Sequence, residues 1–343
     1  MAHVATITID HTKVPGDLTD YVGLIVPDGS AGYSALYALC LEGGGDIRLF
    51  KSDDTTELAR EIVTFSVTDE TGEIHYKYSG TLSSSVDTPI HVYADGSSAD
   101  YAVSATYGRN AVWSDYQAVY HMNSPTDSAG NSNLTATSIS YVSGKVGNGA
   151  DFNTGTSKMQ STINSGLGGS FYVTTWVKAD ALTSTESWLF TSYVASYSNY
   201  WASGWFNAGP NARYALFNGT QNPFVDSSPD PVTDTWYKYT FVRDTSADTV
   251  FFFRNATLNS NVSTDTTTSI PTYSAFVLGR FFNNTKGLDG IMDEVRVRGS
   301  LFSATWETTE YNNQNSYSTF YSVAAVAGGS AAQAARRGAV MMM

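Results

Sequence analysis

The chain has 343 residues and a formal net charge of −13, from 32 Asp and Glu against 19 Lys and Arg. That acidity argues against a nucleic-acid ligand, because no cationic face is available to release counterions from a phosphate backbone. One cysteine, Cys40, excludes an intrachain disulfide framework, no apolar run reaches the ~20 residues of a membrane-spanning helix, and the N-terminus lacks the basic and long apolar regions of a signal peptide. The expectation is therefore a protein with no membrane insertion and no Sec export, held by packing alone.

With 22 Tyr and 17 Phe the composition favours strands. Ala5, Ile7 and Ile9 alternate with Thr, which predicts a first strand, and Tyr21 to Val26 a second, stopped by Pro27-Asp28-Gly29. Ala31 to Glu42 lacks alternation and predicts a short helix. Asp46 to Phe50, Ile62 to Val67, Glu73 to Tyr78 and Pro89 to Tyr93 are short, alternating and separated by polar turns, the spacing of an all-β sandwich. Asp95-Gly96-Ser97-Ser98 marks a break, and Ala94 to Trp113 reads as a linker.

Beyond Val119-Tyr120-His121 the character changes. Further strands are expected at Ser170 to Val177, Ser187 to Tyr193, Arg213 to Phe217, Thr235 to Arg243, Thr249 to Arg254 and Ala275 to Arg280. In the segment Gly287 to Gly299, alternation places Ile291, Asp293, Val295 and Val297 on one face, with Met292, Glu294, Arg296 and Arg298 on the other. An apolar face carrying a carboxylate needs donors or a cation for Asp293. Ser303 is a good N-cap for a short helix that Trp306 and Tyr311 would pin to the sandwich. The small-residue segment after Phe320 reads as a flexible or partner-ordered tail.

Three sets of residues carry a family resemblance. Gly290-Ile291-Met292-Asp293-Glu294-Val295-Arg296-Val297 followed by Ser303-Ala304-Thr305-Trp306 resembles the closing strand and helix of laminin-G-like, concanavalin-A-like jelly rolls. Asp127-Ser128-Ala129-Gly130-Asn131 and Gly144-Lys145-Val146-Gly147-Asn148-Gly149-Ala150-Asp151-Phe152 are similar to that family's opening motifs. Gly45 to Phe50, Leu58 to Ile62, Thr88 to Tyr93 and Val112-Trp113 resemble an uncharacterised β module found ahead of such domains in bacterial and phage surface proteins. These resemblances imply an all-β chain of two antiparallel β-sandwich domains: a module at 1–112, a laminin-G-like jelly roll at 113–320, and a low-complexity tail at 321–343.

The jelly-roll family includes glucanases, which set two carboxylates across the scissile bond, usually as E-x-D-x-x-E on one strand. That triplet is absent, and alternation puts Asp293 and Glu294 on opposite faces, so no catalytic residue is assigned and no cofactor is required. Calcium is the one candidate ion: Asp293 with Asp127 and Asn131 offers the oxygen ligands it prefers. The alternative is a hydrogen-bonded Asp293 and an Asx turn at Asp127. For glycans, Tyr197, Tyr200, Trp201 and Trp205 lie among Ser, Asn and Gly, where rings could stack on sugar C–H faces. The resulting expectation is a non-enzymatic virion surface protein of a bacteriophage, a decoration or tail-associated subunit. It would be homo-oligomeric, bind other virion subunits through the 321–343 tail, and meet host surface glycans through the second domain. The alternatives are a carbohydrate-binding adhesin module of a bacterial surface protein and a divergent glycoside hydrolase.

Overall fold

The structure is a computed structural model that describes residues 1–153, 155–162, 169–182, 187–193, 200–206, 211–217, 224–226, 231–259, 263–265, 275–281 and 287–326, with backbone alone at 200, 206, 211–217, 224–226 and 263. The chain divides into two compact units, Met1–Ser114 with Ala304–Met343, and Asp115–Ser303. Both are antiparallel β.

In the first unit, β1 (Ala2–Ile9), β2 (Leu18–Ile25), β3 (Arg48–Lys51), β4 (Glu57–Ser66), β5 (Thr71–Leu82) and β6 (Thr88–Ala94) form one sheet in the order β2-β5-β4-β3-β6-β1. Strand β4 serves two partners: Glu57 and Leu58 pair with β3, and Ala59 onwards with β5, so the sheet turns a corner along it. A short helix α1 (Ser34–Leu39) fills part of the expected helical stretch. Val4, Ile7, Ile9, Leu24, Leu49 and Ile90 are all buried in the core. The expected linker is instead part of this unit. Arg60 donates to Ile47 O, Gly45 O and Asp100 Oδ1, Arg48 donates to Ala99 O, and a turn of helix α2 (Arg109–Val112) leads to buried Trp113, whose Nε1 donates to Glu61 at 2.5 Å. Two buried guanidinium groups thus pin the segment that turn residues alone marked as a break.

The second unit stacks two sheets. Strands β7 (Ala118–Tyr120), β8 (Thr135–Thr137), β9 (Ser140–Ser143), β10 (Asn148–Phe152), β11 (Lys158–Ser161), β12 (Phe171–Ala179), β13 (Ser187–Tyr193), β14 (Tyr200–Phe206), β15 (Asn211–Phe217), β16 (Phe224–Asp226), β17 (Trp236–Asp244), β18 (Thr249–Arg254), β19 (Thr257–Leu258), β20 (Ser263–Thr264), β21 (Ala275–Leu278) and β22 (Gly290–Arg298) follow in chain order. One sheet runs β19-β18-β17-β12-β22-β10-β9, with β20 beside β18 and β7 beside β22; the other runs β16-β15-β14-β13-β21-β11-β8. Between them lies a core that includes Phe171, Val173, Phe190, Trp201, Phe241, Phe252, Phe276 and Val295. Buried Arg243 closes one edge through Asp265 Oδ2 at 2.6 Å.

The C-terminal segment returns to the first unit. Helix α3 (Ala304–Asn315) belongs to this unit and lays Trp306 against Tyr21, with ring centroids 5.3 Å apart. Asn313 then meets the free edge of β2 as a strand would: its Oδ1 accepts from Leu24 N at 2.7 Å and its Nδ2 donates to Leu24 O at 2.9 Å. After α4 (Tyr317–Phe320), β23 (Tyr321–Ala325) pairs with β1 from Ile9↔Tyr321 to Ala5↔Ala325. The expected tail at 321–343 therefore begins as a strand, because it supplies the pairing that β1 otherwise lacks on that side. Its remainder, 327–343, lies outside the described residues.

Candidate functional site

Strand β22 does not keep simple alternation. Its register against β12 shifts between Thr174 and Trp176, and Glu294 takes φ +49, the marks of a β-bulge. The extra residue puts Met292, Val295 and Val297 into the core and leaves Asp293 opposite Trp176 on the outer face of the sheet. Alternation had placed Asp293 with Val295 and Val297 and opposite Glu294; the bulge instead sets Asp293 on the same side as Glu294 and Arg296.

Asp293 is fully buried, and its oxygens are met by amides. Oδ2 accepts from Lys145 N and Val146 N, and Oδ1 from Glu294 N, each at 2.8 Å. Lys145 and Val146 belong to the turn joining β9 to β10, closed by Gly144 N to Gly147 O at 3.0 Å, while Glu294 is the next residue of β22. A Cβ on Gly144 would stand 2.5 Å from Asp293 Oδ2, so only glycine lets the turn come this close. Burial and neighbouring Glu294 push the Asp293 carboxyl up, and the three amides pull it back. Glu294 in turn accepts from Arg296 and contacts His121 Nδ1 at 2.5 Å.

Asp127 is equally occupied. Oδ1 accepts from Val119 N and Ala129 N at 2.9 Å, and Oδ2 from Asn131 N at 2.8 Å and Ser132 N at 2.9 Å. Asn131 turns its side-chain amide to Gln117 O at 3.0 Å. Asp293 and Asp127 thus use separate sets of backbone donors, and N–H groups aimed at a carboxylate occupy the lone pairs a cation would need. The two glycine-containing motifs build turns around these carboxylates.

Trp201 and Trp205 also leave the sugar argument. They sit on one face of β14, with Trp201 fully buried and packed on Phe171 and Phe190 at 4.9 and 5.3 Å between centroids. Trp205 lies against Tyr239. Alternation carries residues 201, 203 and 205 inward together, a period that a view of the segment as a loop ignores. Tyr197 lies outside the described residues, and Tyr200 is described by backbone alone, opposite Tyr193.

An open polar cleft of about 470 Å³ lies elsewhere, at the β8 edge of the second unit's seven-stranded sheet. Gln160 faces Thr135 and Lys158 faces Thr137 across the β11–β8 ladder, while Met159 between them points into the core. Asn133 and Thr162 complete the outward-facing wall. Among the described residues, hydroxyls, amides and one ammonium line this cleft, and no carboxylate does. Sequence reading passed over these residues because scattered Thr and Gln in short strands carry no motif.

Residues 153–306 match the concanavalin A-like lectin/glucanases superfamily. No curated protein matches the sequence. Among solved structures the chain is similar to domain 4 of AbnA, a GH43 extracellular arabinanase from Geobacillus stearothermophilus, in complex with arabinotriose, at 21% identity over 57% of this chain and 97% of that one, TM-score 0.47. It is also similar to the binding domain of Paraclostridial Mosquitocidal Protein 1 (13% identity, 58% and 52% coverage, TM-score 0.49). A third likeness is to the botulinum neurotoxin serotype D ligand binding domain in complex with N-acetylneuraminic acid (12%, 58% and 51%, TM-score 0.48). The matched region spans about half the length of those two toxin domains.

Proposed function

We propose, from the premise that the second unit is a lectin-like, concanavalin A-like jelly roll, that this unit binds carbohydrate without cleaving it. The cleft between β8 and β11 carries this reading. Thr135, Thr137, Gln160 and Asn133 offer donors and acceptors suited to sugar hydroxyls, and Lys158 adds a charge-assisted donor. A glycosidase requires an acid and a second carboxylate flanking the bond. Among the described residues lining the cleft neither is present, and Asp293 and Glu294 are buried.

An oligosaccharide array probed with the full chain tests the reading. Retention of at least one glycan is expected, falling about tenfold or more in the Lys158→Ala/Gln160→Ala double variant as charge-assisted and neutral hydrogen bonds are lost. No reducing sugar should be released. Retention unchanged in the double variant would place the site elsewhere, and release of sugar would make the protein a hydrolase.

The wider role we infer is display on the outside of a phage particle, as a decoration or tail-associated subunit. It is supported by the acidic charge, the single cysteine and the resemblance of the module pairing to phage and bacterial surface proteins. Mass spectrometry of purified particles should detect the chain; finding it only in the free lysate would sink this role.

A further inference from the structure

The seven-stranded sheet of the first unit leaves a seam between its end strands. Those end strands are β2 and β23: Asn313 of α3 covers the β2 edge by taking both backbone groups of Leu24, and Tyr321 of β23 reaches the chain just past β2, its Oη accepting from Val26 N at 2.8 Å. Where β2 ends, the seam opens into a cleft of about 210 Å³. Tyr33 and Tyr321 form its buried floor, with their hydroxyls 3.5 Å apart, and half-buried Tyr317 forms a wall 6.3 Å from the Tyr321 ring. Asp28, Ser30 and Ser322 stand at the mouth.

The charge of this cleft is one-sided. Among the described residues, Asp28 is its only charged lining residue, and its carboxylate receives one long hydrogen bond, 3.3 Å from Ser30 N. Burial is the main cause that raises the phenols of Tyr33, Tyr317 and Tyr321, and the charge of Asp28 adds to each. The three rings are therefore held in their neutral form beside the Asp28 side chain. Electron-rich ring faces and a carboxylate with spare lone pairs attract the same class of ligand, an organic cation with an apolar skin. The volume is below the ~300–1,000 Å³ of drug-sized sites, which limits that ligand to a small head group.

We propose that the tyrosine-lined seam cleft of the first unit binds a small alkylammonium group. The proposal is independent of the carbohydrate reading, since it concerns the other unit and another chemistry. Tetramethylammonium chloride titrated into the full chain should give saturable NMR shifts at the Ser30, Ser318 and Ser322 amides. Asp28→Asn, which keeps the acceptor for Ser30 N, and Tyr317→Leu should each weaken binding about tenfold. Asp87→Asn, a surface change elsewhere on the unit, should leave it unaltered. n-Butylammonium run beside the first probe distinguishes a lysine-like source from a quaternary one, and preference for either agrees with the site. Should Tyr317→Leu fail to fold, Asp28→Asn alone decides. Linear, unsaturable shifts, binding unaffected by Asp28→Asn, or tighter saturation of the same amides by methyl galactoside would each overturn the proposal.

Discussion

The two units solve the problem of sheet edges differently. The second is continuous in sequence, and its two sheets bury their apolar faces on each other, so its strands and core all lie between Asp115 and Ser303. The first is discontinuous: its sheet is finished by β23, and its β2 edge is covered by Asn313 from a segment almost 300 residues away in sequence (separation 289). A strand pattern can therefore announce a sandwich without announcing which segment closes it.

Truncation should break the symmetry between the units most sharply. A chain ending at Ser303 loses α3 and β23, which removes the β1–β23 ladder and the Leu24 pairing together. That loss is comparable with the ~5–15 kcal/mol stability of an ordinary domain, so the first unit should not fold. Calorimetry of the full chain should resolve a transition that is absent after truncation, whereas Asp115–Ser303 alone should unfold cooperatively. A first-unit transition surviving truncation would show that the returning segment is dispensable. Next in size is Trp201→Ala, expected to cost the second unit about 3–5 kcal/mol through the cavity it leaves among Phe171, Phe190 and Phe276. A variant with unchanged melting and weakened glycan retention would return Trp201 to the surface.

Strands and the jelly-roll fold were legible because alternation and turn residues are local, and the motifs around Gly130 and Gly144 are short. Asp293 was legible as an acid that must be buried with demanding partners, although not on the face it takes. What escaped notice was non-local or off-period. The bulge at Glu294 reverses the faces of Asp293 and its neighbours, and nothing in Asp293-Glu294-Val295 announces a positive φ. Similarly, Trp201 and Trp205 share a spacing of four with a core strand, but Ser, Asn and Gly around them resemble a loop. The edge-capping role of Asn313 has no signature, because an Asn in a polar helix is ordinary until a free strand edge faces it.

A matched pair of smaller changes tests whether both units depend on amide satisfaction to a similar degree. Asn313→Ala leaves Leu24 N and O unpaired in a buried place, and Asp293→Ala strands the Lys145, Val146 and Glu294 amides. Each should destabilise its own unit by about 1–3 kcal/mol and leave the other transition in place. A shift of the wrong transition in either variant would contradict the division at Ser114 and Ala304.

The smallest expected effect concerns pH and the first unit alone. His3 on β1 lies against His91 (centroids 4.4 Å) and stacks on Tyr93 (5.0 Å), with Nε2 bonded to Ala5 O at 3.0 Å; Asp54 accepts from both His91 and Tyr93. Burial first, then the neighbouring His91, lowers the pKa of His3 below its usual 6.5, with Ala5 O and Asp54 opposing. The folded state then binds fewer protons at this ring than the unfolded chain in the window below 6.5, so stability falls as pH drops through that window and is unaffected above it. The ring is partly solvent-exposed, so the change should be a few tenths of a kcal/mol at most. Urea midpoints of the first unit at roughly pH 7.5 and 5.5 should differ by this small amount, and His3→Gln should remove its share of the difference. An NMR titration placing His3 above 6.5 would mean that Asp54 outweighs burial, and the sign of the dependence would reverse.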